Sequence, residues 1–334
     1  MLLRSSLLAV CLAATACQTS DEAGGRWSLS LDNDTFTGSD NNYTNGLGIG
    51  WASPERDQLD DDGLLAGWID AFGWLPMMDA EGAQTFASFV LGQEVYTAND
   101  IKDPDPPLDE QPYAGLLFLD AGLHTLVDDQ RVDWSVRVGM VGPSSGAEDI
   151  QREVHELIGV NQPQGWDTQL PDEPFLNLDA ALSRELVRDS LSEDLEWRMG
   201  VAGSASLGTY YTGLGSELYT EIGWNLPEGI GTYGLRGGPP AVSSVGPLPN
   251  GNYRFSVFTS LNGYLVGHYL PLDGTVFQDS RSVDSHPFVG AVRTGLAMRY
   301  DRLLVRFTVT HASESFDGQK EDTEFGTFSF LWIP

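Results

Sequence analysis

The sequence predicts an all-β protein: an antiparallel transmembrane β-barrel of about twelve strands, with a short helix in an outer loop. Three observations lead there. Apolar and polar residues alternate with period two over many short segments. No stretch after the N-terminus holds eighteen consecutive apolar residues, so no helix is long enough to span a bilayer. The links between segments sort into tight and long sets in the order a membrane barrel needs. The chain is also rich in Gly (38) and carries 9 Trp, 11 Tyr and 15 Phe. Its mean hydropathy of -0.19 fits alternating strands, in which each apolar residue is offset by a polar neighbour.

The first residues read as an export signal. Arg4 supplies the positive start, Leu7 to Ala14 an apolar core, and Ala14-Thr15-Ala16 a small-x-small cleavage site. The expected division is a signal peptide over 1–16 and one outer-membrane barrel domain over 17–334. Cys11 leaves with the signal, so Cys17 has no disulfide partner. Cys17 also stands where a lipoprotein is acylated, although Ala14 occupies the place three residues earlier where Leu is usual.

Strands fill the mature chain. Trp134, Val136, Val138 and Met140 fall on one face of a segment whose other face holds Asp133, Ser135, Arg137 and Gly139. Val305, Phe307 and Val309 alternate with Arg306, Thr308 and Thr310, and Phe328, Phe330 and Trp332 with Thr327 and Ser329. In a membrane barrel the apolar face meets lipid and the polar face lines the lumen. The segments begin near Trp27, Tyr43, Ala87, Tyr113, Val132, Phe175, Glu193, Leu214, Tyr253, Phe288, Leu303 and Glu324. With the N-terminus in the periplasm, the tight links at 128–130, 188–192 and 301 are periplasmic, and the long ones at 97–112, 143–174 and 266–287 are external. Two long links, 55–86 and 225–251, break the pattern; the first contains Leu64 to Ile69, which reads as a short interfacial helix.

One external link holds a helix over Gly146 to Gly159. Pro143-Ser144-Ser145 supplies the turn and cap, and Gly159 the stop. Ile150, Val154, Leu157 and Ile158 form its apolar stripe, with Gln151 and His155 as i,i+4 neighbours on an adjacent face.

A formal net charge of -30 argues against a nucleic-acid partner, whose phosphates it would repel. The acidic run Asp100, Asp103, Asp105, Asp109 and Glu110 lacks the spacing of a calcium loop and reads as a solvated face. There are five histidines, with no His-x-x-x-His or Cys-x-x-Cys pair and no Gly-x-Ser-x-Gly elbow. A serine paired with a histidine across strands stays open.

Asp32-Asn33-Asp34-Thr35-Phe36 ends the first strand, and Asn42-Tyr43-Thr44-Asn45-Gly46 opens the second. Antiparallel pairing sets Asp32, Asn33, Asp34 and Thr44 together at the outer rim, either as turn chemistry or as hard oxygen donors for a cation. Strict alternation assigns Asp34 and Thr44 to the lumen side and Asn33 to the lipid side. A bulge is what would bring them together.

These stretches, with Gln93-Glu94-Val95-Tyr96-Thr97, Gln111-Pro112-Tyr113-Ala114-Gly115, Gly142 to Leu170 and Leu272 to Phe277, occur along the mature chain in an order that resembles the outer-membrane lipid A 3′-O-deacylases, a family of twelve-stranded barrels. The resemblance implies a calcium-dependent esterase acting on lipid A or lipopolysaccharide in the outer leaflet. It implies that His155 is the general base on water, that Asn33 and Asp34, with Asp32 beside them, hold Ca2+ and polarise the ester carbonyl, and that Thr44 and Gln151 belong to the same site. Some relatives carry Glu six residues after the histidine; here the position is Asn161. Phosphates on such a substrate call for local basic residues such as Lys102 or Arg152. The alternatives are a non-catalytic barrel that binds lipopolysaccharide and a barrel phospholipase. A barrel of this size can act as a monomer.

Overall fold

The computed structural model describes residues 25–38, 43–54, 71–78, 80–227 and 253–333. The expected signal peptide, Cys17, the Leu64–Ile69 helix and most of the 225–251 link lie outside the described residues.

Twelve antiparallel strands close into a barrel. They are β1 (Arg26–Asn33), β2 (Tyr43–Ala52), β3 (Gln84–Tyr96), β4 (Ala114–Val127), β5 (Gln130–Val141), β6 (Glu173–Ser190), β7 (Leu195–Gly208), β8 (Tyr211–Trp224), β9 (Tyr253–Tyr269), β10 (Phe288–Tyr300), β11 (Leu303–Ala312) and β12 (Thr323–Trp332). Each pairs with the next, and β1 pairs with β12 from Trp27↔Trp332 to Asn33↔Gly326, so no edge is left open. Every strand begins within three residues of its expected start.

Burial runs inside out, as lipid requires. Leu29, Leu31, Leu119, Val138, Leu261 and Leu296 are exposed on the outer wall, while Arg131, Arg198, Glu94, Glu221, Arg254 and Arg293 are buried in the lumen. Charges pair across the interior. The Glu221 carboxylate accepts from Arg198 at 2.6 Å and also from Arg254, and Asp120 accepts from Arg137 at 3.2 Å. These pairs and the aromatic rings among them, such as Phe86, Phe258 and Tyr219, fill the lumen.

Three of the short links gather at one end, while a fourth, the two-residue 209–210 link between β7 and β8, lies at the other. Asp128 and Asp301 open two-residue turns and adopt left-handed backbone (both φ 52°), which Asp tolerates. β6 runs on to Ser190, so the third short link is 191–194 rather than 188–192. The opposite end carries the long links, including 97–113, 142–172 and 270–287, and a helix, α1 (Ala147–Ile158). A one-turn helix, α2 (Leu270–Asp273), follows β9.

The end of α1 is as expected: Gly159 caps it in left-handed backbone (φ 73°). Its start differs. The N-cap is Gly146, which has no side chain to offer, and the Ser145 hydroxyl accepts the Ala147 N–H instead at 3.3 Å.

The acidic run is also more than a solvated face. Asp105 pairs with Arg281 at 2.5 Å, Glu110 with Lys320, and Gln111 Nε2 donates to the Pro271 carbonyl at 2.7 Å. These contacts lash the 97–113 link to the 270–287 and 313–322 links.

Candidate functional site

The rim site is assembled by α1, the 165–168 turn and the loop ends of β1 to β4. α1 sits against the outer face of the wall. Gly115 belongs to the same alternate set as the exposed Leu117 and Leu119, and a Cβ there would meet the Ala147 Cβ at 2.3 Å. Gln93, in the outward set with Leu91, donates Nε2 to the Ser145 carbonyl at 2.9 Å. Val95, Ala98, Tyr113, Ala147 and Trp166 close over one another as a small apolar cluster. Only small residues, Gly115 and Ala147, permit the helix to lie this close.

The helix turns its polar neighbours inward and its apolar stripe outward. Gln151 is fully buried, and its Oε1 accepts from Trp166 Nε1 at 2.8 Å. Gln151 Nε2 is buried with no hydrogen-bond partner in the protein, a costly state for an amide donor. Ile150, Val154 and Leu157 face away from the wall, Leu157 with 80% of its surface exposed.

His155 lies one turn along from Gln151. Its Nδ1 is 2.6 Å from the main-chain carbonyl oxygen of Asn161. A carbonyl only accepts, so Nδ1 carries the proton and Nε2 is left basic. The contact uses the backbone of Asn161, so it does not need the glutamate that some relatives carry.

The β1–β2 hairpin supplies the other half. The register shifts between Tyr43 and Asn45, a bulge at Thr44. Tyr43 thus turns into the lumen, where its hydroxyl donates to Asp32 Oδ2 at 2.7 Å. Thr44 is tied to the rim instead: its carbonyl accepts from Asn33 Nδ2 at 3.1 Å, and its hydroxyl lies 2.8 Å from that of Thr97. Thr97 follows β3 directly and neighbours Ala98 of the cluster beneath α1. A run of contacts therefore leads from Asn33 through Thr44 and Thr97 to the cluster on which α1 is seated, whose Trp166 bonds Gln151.

Asp32 does not join that group. It is turned to the lumen side, opposite Asn33, by the period of the strand. Asp34 is buried at the start of a 3-10 turn, Asp34–Phe36. The Asn33 amide oxygen accepts both the N–H and the hydroxyl of Thr35, which fixes the amide. Among the described residues no group of three or more His, Cys, Asp and Glu side chains is placed to hold a metal ion. With the Asn33 oxygen taken up by Thr35, the Asp34 carboxylate and the Thr44 oxygens remain as hard donors of the type calcium takes, so the donor chemistry fits a calcium ion with a single carboxylate. Of the basic residues expected to meet phosphate, Arg152 is paired with Glu148 at 2.9 Å.

A second polar constellation escaped sequence reading. Ser88 Oγ lies 2.7 Å from His124 Nε2, and His124 Nδ1 lies 2.5 Å from Asp133 Oδ1, across β3, β4 and β5. In outline this is a serine-hydrolase relay. However, Ser88 is only 2% exposed and faces the lumen near the short-link end. Arg131 donates Nε to Asp133 at 2.7 Å, and Phe86 stacks on the His124 ring at 4.5 Å. The trio is one more packed polar layer.

A family profile described as outer membrane protein LpxR matches residues 2–333. Among solved structures, LpxR from Salmonella typhimurium shares the fold with a TM-score of 0.74 at 17% identity, over 92% of this chain and 100% of that one. The β domain of the Bordetella autotransporter Brka gives a TM-score of 0.44 at 10% identity, over 93% of this chain and 99% of that one. No curated protein matches the chain in sequence.

Proposed function

Because the chain belongs to the family of outer membrane protein LpxR, we propose that this outer-membrane barrel is a lipid A 3′-O-deacylase that hydrolyses the 3′-linked acyl ester at its outer rim. One observation carries the reading. The histidine-bearing helix is fixed to the lipid-facing side of the wall, beside the Asn33–Thr44–Thr97 run, where an ester of an outer-leaflet lipid arrives sideways through the membrane.

His155 supplies the base. With Nδ1 held by the Asn161 carbonyl, Nε2 accepts a proton from water, and the hydroxide equivalent attacks the ester carbonyl. Asn33 serves as a donor: one Nδ2 hydrogen holds the Thr44 carbonyl, and the other is directed to the developing oxyanion. Gln151 Nε2 is the second amide donor at the site. Calcium held by the Asp34 and Thr44 oxygens would add Lewis-acid polarisation of the carbonyl. Imidazolium then returns its proton to the leaving sugar oxygen, releasing a fatty acid and a 3′-hydroxyl. The exposed Ile150, Val154 and Leu157 keep the helix in contact with acyl chains.

Mass spectrometry of lipid A from cells making the protein tests this. Loss of one 3′-acyl group is expected, abolished by chelator and by His155→Ala. Unchanged lipid A would favour a barrel that only binds lipopolysaccharide, and lysophospholipid in its place a phospholipase; either result ends the deacylase reading.

A further inference from the structure

At the long-link end the lumen widens into a cavity of about 160 Å3. It lies behind the β2–β3 wall from the rim site: Tyr43 and Tyr96 line it, while the next residues, Thr44 and Thr97, bond to each other at the rim. Six tyrosines form the wall: Tyr43, Tyr96, Tyr210, Tyr211, Tyr264 and Tyr269. Gln111, Thr310, Ser313, Ser315 and Thr323 add hydroxyl and amide groups, with Ser313 exposed to solvent.

The rings are locked before any ligand arrives. Tyr96 and Tyr210 both donate to the buried Glu94 carboxylate at 3.0 Å, and the Tyr96 and Tyr269 hydroxyls are 2.6 Å apart. Arg293 Nη2 donates to the Tyr264 hydroxyl at 2.8 Å. Tyr269 packs edge-on against Tyr96, Tyr210 and Tyr211, with centroids 5.9 to 6.1 Å apart. Rigid walls lower the ordering cost of binding.

Charge and size narrow the ligand. The chain has 48 acidic residues, yet no carboxylate lines the cavity. Glu94 and Asp32 stand behind the tyrosine hydroxyls they accept from, and the two basic residues of the lining are already bonded, Arg293 to Asn262 at 3.2 Å and to Tyr264, and His286 to Asp317, so the ligand meets chiefly phenol rings and neutral polar groups. A cavity of roughly 150 Å3 holds one six-membered ring. A ring with C–H faces and hydroxyl edges matches aromatic walls below a polar mouth.

We propose that this luminal cavity binds a single neutral pyranose ring, presented at the cell surface as a free sugar or as a unit of a glycan. The site is separate from the rim, and the proposal does not depend on the deacylase reading.

Saturation-transfer NMR on the full chain in a sugar-free zwitterionic detergent tests it, with methyl β-D-glucopyranoside as one probe and lipid-free lipopolysaccharide oligosaccharide as the other. Transfer from the aromatic protons to the ring C–H protons is expected. It should fall at least about tenfold when the cavity is filled by Ala312→Trp at the mouth or Ala291→Phe deeper in, in variants that still run as folded barrels. Transfer to both probes assigns free sugars as well as glycans, and transfer to the oligosaccharide alone assigns the glycan. No transfer to either probe, or equal transfer in wild type and both filled variants, overturns the proposal.

Discussion

His155 Nδ1 is held at 2.6 Å by the main-chain carbonyl of Asn161, six residues along the chain, where the loop leaves α1 and turns back past it. The orienting group of the base is thus independent of the side chain at that position. Asn161→Ala should leave the deacylation rate within about twofold and the pH profile unmoved, whereas His155→Ala should lower it by roughly 10²–10⁴. Steady-state rates across pH on purified protein measure both. A large loss in Asn161→Ala would show that the side chain, not the carbonyl, orients the ring.

The seat of α1 depends on the absence of a side chain at Gly115. A Cβ there meets Ala147 Cβ at 2.3 Å and Ser145 Oγ at 2.4 Å. Gly115→Val should lift the helix from the wall while the twelve-stranded ladder persists. Activity should fall at least about tenfold with unchanged heat-modifiable mobility on gels. Full activity in that variant would mean the helix works without its contact to β4.

Much of this architecture was legible in the residues, and the reason is physical. Lipid demands one apolar face per strand, so period two is written strongly, and strand starts such as Tyr43, Tyr253, Phe288 and Leu303 coincide with the reading. Gly159 marks the end of α1 because it alone there takes positive φ at no cost. Alternation also separates Asp32 from Asn33 correctly. It does not reveal the bulge at Thr44, which carries no Gly or Pro signal of its own and comes from the way β2 meets β3. Nor does it reveal Ser88, His124 and Asp133 as neighbours. Period two gives the face of each residue, but its height against other strands is set by register across β3, β4 and β5. The stripe Ile150–Val154–Leu157 was visible as a stripe; its direction, away from the wall, follows from the small contact at Ala147.

The luminal serine gives a sharp discrimination between hydrolases. Ser88→Ala should leave lipid A deacylation within about twofold, since the serine sits among packed side chains inside the barrel. It should cost roughly 1–3 kcal/mol of barrel stability, because His124 Nε2 loses its partner in a buried layer. Paired assays of Ser88→Ala and His155→Ala decide the matter: activity lost in the first and kept in the second would move the chemistry into the lumen.

The loop lashings carry a pH dependence. His286 bonds through Nε2 to Asp317 at 2.8 Å and through Nδ1 to the Glu314 carbonyl at 3.1 Å, tying the 270–287 link to the 313–322 link. The Asp317 hydrogen bond is the main cause that raises the imidazole above its ordinary pKa, with the Glu314 carbonyl second. A group raised on folding stabilises fully below its unfolded value, about 6.5 for histidine, and loses that contribution as pH climbs through the higher folded value. The tie should therefore hold in mildly acidic medium and slacken as alkalinity rises. The effect should be modest, because the pair is partly exposed and screened. Limited proteolysis within 313–322 provides the measure, taken at each pH as the ratio of wild type to His286→Gln to cancel the protease's own profile. Wild type should be cut more slowly than the variant at low pH and at the same rate once the imidazole is neutral. A ratio that stays flat from mildly acidic to alkaline medium would mean that the charge on His286 does not hold these loops together.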